Sequence, residues 1–462
     1  MRKIYTLLFA LGATLTSMAQ WNGFQPVRTY PVADVANLIH TKDITGDDIP
    51  DLTALYSAQN TNWEILKGQG EGAFIALPTQ QKEENYQLSD IADLNRDGHP
   101  DMVISSYWNN GFVIWWGVGG GQLIKGPYIY TGVHGRAVKC ADINKDGIVD
   151  IVSTTSGSGR TIHLHVFIGK GDGTFHAKQT YASVLDTCKE IFITDLNNDG
   201  RWDVAVSSSF PWILVFVQQA NGSFIPTYHP TFHVARPAIA DVNNDGKEDL
   251  IMLYASFDNN PNSDSLVIKL NNGTDYFTPS IHVRKFGNKE IRPYLVQAAD
   301  VNKDGNTDLL FNHTNMDGES TDTLYYMLGK GNAQFDAPVA LKMPDKVVFI
   351  VLTDVNADQW VDLVVSCANK TINVSLNHKA ITEFEEKPVQ VYPNPATSVL
   401  YIKAPFKSVH TLRLYTTAGQ MVKEQRSTSL TSLVYTHGLL PGIYYLQIKG
   451  KEVNHQQAIW LR

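Results

Sequence analysis

One nine-residue stretch, Asp195-Leu-Asn-Asn-Asp-Gly-Arg-Trp-Asp203, constrains this chain more than any other, because it occurs seven times. The other copies begin at Asp43, Asp93, Asp142, Asp241, Asp300 and Asp354, and successive starts lie 50, 49, 53, 46, 59 and 54 residues apart. Self-similarity at such a period marks a repeat architecture, each copy being one supersecondary unit. Asp stands at positions 1, 5 and 9 of every copy. Position 3 is Asn in six copies and Thr45 in the first; position 6 is Gly in five, with Asp48 and Gln359 as exceptions.

Oxygen donors at alternate positions, with a Gly to bend the chain, suit a hard cation. Calcium accepts about six to eight oxygens in flexible geometry, whereas magnesium demands a tight octahedron. The expected calcium ligands are Asp43, Thr45, Asp47 and Asp51; Asp93, Asn95, Asp97 and Asp101; Asp142, Asn144, Asp146 and Asp150; Asp195, Asn197, Asp199 and Asp203; Asp241, Asn243, Asp245 and Asp249; Asp300, Asn302, Asp304 and Asp308; and Asp354, Asn356, Asp358 and Asp362. The backbone carbonyl of position 7 would add a further donor, giving up to seven ions. An EF-hand would need a Glu at position 12 and flanking helices. Position 12 reads Ala54, Ile104, Ser153, Val206, Met252, Phe311 and Val365, and strand-like runs such as Asp101-Met-Val-Ile-Ser105 follow the loops. The alternative, Asx-turns without metal, leaves three Asp of each loop to repel one another.

A short apolar stretch precedes each loop, as in Ile191–Thr194, and a second and third strand follow, as in Leu164–Ile168. A glycine-rich turn then ends in an aromatic or apolar residue: Gly169–Phe175, with comparable turns ending at Phe74, Leu123, Phe224, Phe277 and Phe335. A fourth strand begins there. Four antiparallel strands repeated seven times predict an all-β chain, a seven-bladed calcium-binding β-propeller. The last repeat stops near Asn377 without its glycine turn, while Asn22-Gly-Phe24 and Gln25–Tyr30 read as the end of such a turn and a strand. Residues 24–31 are therefore expected to supply the outer strand of the final blade and remove a free edge.

The pattern Asp-x-Asn-x-Asp-Gly-x-x-Asp with Gly-x-Gly-x-Phe resembles the FG-GAP (VCBS-type) repeats of integrin α-chain propellers, of fungal lectins and of many secreted bacterial proteins. The resemblance covers roughly residues 24–377, within a propeller domain expected over 20–377, and implies calcium at the loops, with departures at Thr45, Asp48 and Gln359. Residues 378–390 read as a charged linker. Residues 391–462 alternate like a small β-sandwich, and Val391-Tyr-Pro-Asn-Pro395, Leu414–Val422 and Leu440-Pro-Gly-Ile-Tyr-Tyr-Leu446 are similar to the C-terminal sorting domain (type A) of the type IX secretion system of Bacteroidota. That resemblance implies contact with the secretion machinery, export across the outer membrane and removal of the domain on arrival. Ala458–Arg462 departs from the family's Lys-rich tail.

Residues 1–19 read as a signal peptide: Arg2 and Lys3, an apolar run from Ile4 to Leu15, and Ser17-Met-Ala19 before a cut at Gln20. No later run approaches the roughly 20 apolar residues of a membrane span. The expected location is extracellular or on the outer-membrane surface. The formal charge of −8 is local to the loops, since seven calcium ions would turn it into +6. There is no basic run, so a nucleic-acid partner is not expected, and a monomer is. Cys140, Cys188 and Cys367 lie in strand-like segments and read as small buried hydrophobes.

Strand order puts the Asp loops and glycine turns on one face and the second-to-third-strand connectors on the other. Near the starts of innermost strands stand Arg136, Lys189, Arg236, Arg292 and Lys346, a ring that would focus potential on anions. Connectors carry Tyr107, Trp108, Phe210, Trp212 and Phe257, flat faces for sugars. The plain alternatives are solvated strand ends and packing between blades. No Gly-x-Ser-x-Gly, His-Glu-x-x-His or P-loop is present. Three functional readings follow: a lectin-like or adhesive binder of glycans or extracellular proteins, a polysaccharide lyase, and a structural surface component.

Overall fold

The computed structural model describes residues 23–377 and 389–462, apart from 57–61, 79, 82–85, 107–109, 133, 158–160, 184–187, 189, 209–211, 231–235, 255–264, 274–275, 278–279, 286–291, 315–319, 404–409, 418–419, 430 and 451–453. Residues 1–19, expected to be a signal peptide, and most of the expected linker lie outside the described residues. The chain divides between Lys379 and Ala380 into two compact units. All regular structure described in both is β.

The larger unit holds seven antiparallel sheets, each organised around one Asp loop. In the fourth, Glu190–Thr194 runs into the loop, Asp203–Ser207 returns, and Trp212–Gln218 and Phe224–Pro230 complete the sheet. The innermost strands of the seven are Ala36–Lys42, Tyr86–Ala92, His134–Ala141, Glu190–Thr194, Ala238–Ala240, Arg292–Ala299 and Val347–Thr353, here defining blades 1 to 7. The outer strand of blade 1 comes in two pieces, Phe74–Ala76 and Gln80–Gln81.

The second strands read as apolar runs because both of their faces are covered, so alternation no longer separates core from solvent. In blade 4, Val204 and Val206 pack toward blade 3 while Ala205 packs toward blade 5. Seven clusters of buried side chains fill the spaces between consecutive blades, and the cluster of Leu52, Ala54 and Phe74 with Val364, Ile372 and Val374 joins blade 1 to blade 7. The ring is therefore closed by packing at every joint.

It is also closed by pairing. Arg28–Pro31 lies antiparallel to Thr371–Ser375 as the fourth strand of blade 7, as the sequence predicts. Phe24 bridges Asn377, and the Gln25 N–H donates to Leu376 O at 2.8 Å. Tyr30 then crosses the joint: its ring meets Phe74 edge-on at 5.5 Å and its hydroxyl donates to Gly72 O at 3.0 Å.

The smaller unit packs a three-stranded sheet, with Val399–Lys403 at its centre, against a four-stranded one centred on His410–Thr416 and Gly442–Gly450. Leu400, Ile402, Leu412, Leu414, Leu446 and Ile448 fill the space between, so the sandwich expected from alternation is present. Asn394 ties its start to its end, donating to Ala458 O at 3.2 Å and accepting from the Trp460 N–H at 2.8 Å.

Candidate metal loops and central cavity

The nine residues fold around their own carboxylates. In every loop the position-1 Asp accepts the N–H of position 6, at 2.6–3.0 Å. The position-5 Asp accepts the N–H of position 7 at 2.7–3.1 Å. Position 6 needs a left-handed backbone to make this turn: Gly200 has φ +85°, and the two exceptions adopt the same region, Asp48 at +65° and Gln359 at +69°. Those departures thus keep the loop's shape. Position 4 is left-handed too, from Asn198 at +55° to Gly46 at +79°.

The position-9 Asp has no exposed surface in any loop. One oxygen accepts the N–H of position 2, as in Leu196 to Asp203 at 3.2 Å; the other accepts an N–H from the end of the third strand, as in Gln218 to Asp203 at 2.8 Å. The same pair of bonds recurs in the other six loops. This residue is therefore a staple from loop to strand as well as a ligand candidate. Burial raises its pKa, to about 6 at Asp101, Asp150, Asp203 and Asp249 and about 7 at Asp308 and Asp362.

The donor set fits calcium. It offers carboxylate, amide and backbone-carbonyl oxygens, all hard. Among the described residues no three His, Cys, Asp or Glu group into a cage by themselves, so amide and carbonyl oxygens would have to share the work. In six loops the other oxygen of the position-1 Asp accepts the N–H of position 5. In blade 2 that oxygen, Asp93 Oδ1, is buried with no hydrogen-bond donor. A buried anionic oxygen without a donor is costly, and a cation satisfies it.

Neighbouring loops are stitched together by side chains that the sequence reading left unassigned. Position 4 of one loop reaches the next: Arg96 to Gly147 O, Lys145 to Gly200 O at 2.5 Å, Asn198 to Gly246 O at 3.1 Å and Asn244 to Asn306 Oδ1 at 2.8 Å. Position 2, apolar in all seven copies, is buried in all seven. That signal was present in the sequence.

Of the predicted ligand-face residues, Tyr107, Trp108 and Lys189 lie outside the described residues, as do Phe210 and Phe257. Arg292 begins the innermost strand of blade 6. Arg136 donates to Ser156 Oγ at 2.9 Å. Arg236 lies 5.1 Å from the Phe349 ring, spanning from blade 5 to blade 7. Lys346 and Trp212 are exposed.

A cavity lies elsewhere. It is about 780 Å³, at the Asp-loop end of the central channel, and is lined from blades 2 to 5 by Asp90, Lys139, Lys145, Ile191, Trp202 and Glu248 among others. Asp90 accepts the N–H groups of Ile91 and Cys140 at 3.0 and 2.8 Å, capping the open edge of the next blade's inner strand. Lys145 stands 4.4 Å from the centroid of the Trp202 ring. Cys140, half-buried, lines the cavity, and burial holds its thiol well above the usual range; burial holds Cys188 at about 12 and Cys367 at about 11.

A model of the FG-GAP-like repeat matches residues 93–153, 142–206, 195–252, 241–311 and 300–365, each match running from one Asp loop through the next. The chain belongs to the FG-GAP-like repeat family. A second model, the secretion system C-terminal sorting domain, matches residues 390–461. This FG-GAP-like protein is thus an exported propeller, sent to the cell surface or beyond by a tail that engages the secretion machinery. No helix among its described residues is long and apolar enough to cross a membrane. No curated protein matches the chain. Among solved structures it is similar to crystals of BBS1N in complex with ARL6DN, soaked with lead or with mercury. Identities are 10% and 11%, TM-score is 0.53 for both, and 77% of this chain and 98% of that chain are covered. It is also similar to Sqt1 of Saccharomyces cerevisiae, at 9% identity and TM-score 0.47, covering 76% of this chain and 97% of that one. The likeness to the BBS1N structures concerns the fold alone.

Proposed function

We propose that this is a calcium-stabilised propeller that acts outside the cell, binding glycans or proteins in a lectin-like or adhesive manner after removal of residues 1–19. The observation that carries the calcium assignment is Asp93 Oδ1, a buried carboxylate oxygen with no donor in a loop of hard oxygens. Residues at positions 1, 3, 5 and 9 and the position-7 carbonyl would hold the ion, which would supply structural charge compensation. The binding role is supported by the sorting tail, which implies export to the cell surface or beyond, and by exposed Trp212 and Lys346 toward the face opposite the loops.

The test is a glycan and matrix-protein array probed with purified protein in calcium and after demetallation. Calcium-dependent capture of a defined ligand class is expected. Uniformly blank arrays from folded, calcium-loaded protein would remove the binding role and leave a structural one. Calorimetric titration of demetallated protein should show saturable uptake of up to seven ions; no uptake would remove the metal assignment.

A further inference from the structure

The four-stranded sheet of the smaller unit has two faces, and the sandwich core uses one of them. Its strands lie in the order Met421–Ser427, His410–Thr416, Gly442–Gly450 and Asn454–Leu461. Alternation sends Leu412, Leu414, Tyr444 and Leu446 into the core. The residues between them face outward, and the cross-strand register sorts these into two halves. In one half Thr411 stands between Arg426 and Lys449, and Arg413 between Glu424 and Gln447; the Arg413 guanidinium pairs with the Glu424 carboxylate at 2.8 Å. In the other half Met421, Tyr415 and Tyr445 lie side by side, and Ile443 lies beside Trp460. Met421, Ile443, Tyr445 and Trp460 are 49%, 42%, 39% and 56% exposed, so this apolar half meets water. Large apolar side chains gathered on one exposed face mark a contact surface.

The segments that build this half point to its partner. Tyr415, Met421, Ile443 and Tyr445 all come from Leu414–Val422 and Leu440–Leu446, two of the three segments that carry the likeness to the sorting domain. Within them Leu414, Tyr444 and Leu446 are accounted for by the core, and the outward residues are not. The tail engages the secretion machinery, so that machinery is the partner these residues have to meet. The three-stranded sheet also shows Tyr392, Tyr401 and Tyr435 to water, but the Tyr392 and Tyr401 rings stack on each other at 5.7 Å, and of the three only Tyr392 belongs to a segment carrying the likeness. We propose that the secretion machinery recognises this chain through Tyr415, Met421, Ile443, Tyr445 and Trp460, that its receiving surface is an apolar protein groove, and that the half holding Arg413 and Glu424 stays in water. This contact depends on the sorting tail's role in export and is independent of what the propeller binds.

The test uses the full chain, expressed in a bacterium that carries a secretion system of this class. Photoreactive benzoylphenylalanine is placed, one position at a time, at Tyr445, Trp460, Lys449 and Tyr435, and cells are irradiated during export. Adducts with a component of the secretion machinery are expected from Tyr445 and Trp460 and not from Lys449 or Tyr435. In parallel, Tyr445→Glu should lower the exported fraction about tenfold or more, as loss of an interface anchor does, and Tyr445→Phe by less than about twofold. Arg413→Gln combined with Glu424→Gln should leave export within about twofold of the parent. Adducts from Tyr435 alone, or adducts joining Tyr445 and Trp460 to lipid or to a second copy of this chain, would overturn the idea. So would their absence from both positions in cells that export the labelled chain, or export of Tyr445→Glu at the parent's level. Because the adducts are read on chains that are still exported, they decide the matter even where Tyr445→Glu unfolds the smaller unit.

Discussion

Asp203 has no exposed surface, and its two oxygens hold a loop to the strand two connections later. Asp203→Ala leaves two buried N–H groups without acceptors, and the expected cost is about 2–4 kcal/mol, read as a lower urea midpoint. Asp203 and five related aspartates, Asp101, Asp150, Asp249, Asp308 and Asp362, predict the pH response of demetallated protein. Burial raises their pKa values, so the folded values of about 6 to 7 exceed the unfolded value of 3.8. Their contribution is complete below the unfolded value and is lost as pH rises through 6 and 7. The melting temperature of metal-free protein should fall over that window, and excess calcium should flatten the fall; a rise between pH 5 and 7 without metal would contradict it. The turn of these loops was legible because the residues that form it lie within nine consecutive positions. The second job of the position-9 Asp was not, since its strand partner stands 15 residues on in blade 4 and 22 in blade 5.

Two glycines, Gly169 and Gly200, separate two reasons the repeat needs them. At Gly169 an added Cβ would stand 2.4 Å from Val149 O, whereas at Gly200 it would meet nothing within 4 Å and only the φ of +85° is unfavourable. Although they come from blades 3 and 4, both belong to the same repeat pattern, and Asp48 and Gln359 show that position 6 tolerates a side chain. Gly169→Ala should therefore cost about 2–3 kcal/mol and Gly200→Ala about 1 kcal/mol, compared by thermal melting in calcium. The closing strand makes a third case. Tyr30→Ala removes the edge contact with Phe74 and the bond to Gly72 O, with an expected loss of about 2–4 kcal/mol; a variant as stable as the parent would show that the joint is held by pairing alone. This strand was legible by counting: one glycine turn was missing at the end and one strand was spare at the start.

For the whole ring, the proposed calcium would act by mass action. An ion at about 100 times its dissociation constant adds about 2.7 kcal/mol per loop, so chelation should lower the melting temperature by far more than any single substitution above. An unchanged melt in protein shown to be metal-free would refute the assignment. The ring itself was legible from seven copies of one unit. The central cavity was not, because its lining comes from Asp90 to Glu248 across four repeats, and only the closed ring brings them together. Attention to connectors on the opposite face followed from strand order, which says where chain segments lie and nothing about where space is left.

Thr29 bonds to Asn373, 344 residues away, at 2.8 Å. The first strand of the ring to leave the ribosome is thus the last to find its partner, and until then blade 7 presents an unpaired edge. Contacts of such long sequence separation slow folding. An exported chain built this way stays open, and so threadable, until its final blade has emerged, and it locks only once translocation has delivered both ends to the same side of the membrane.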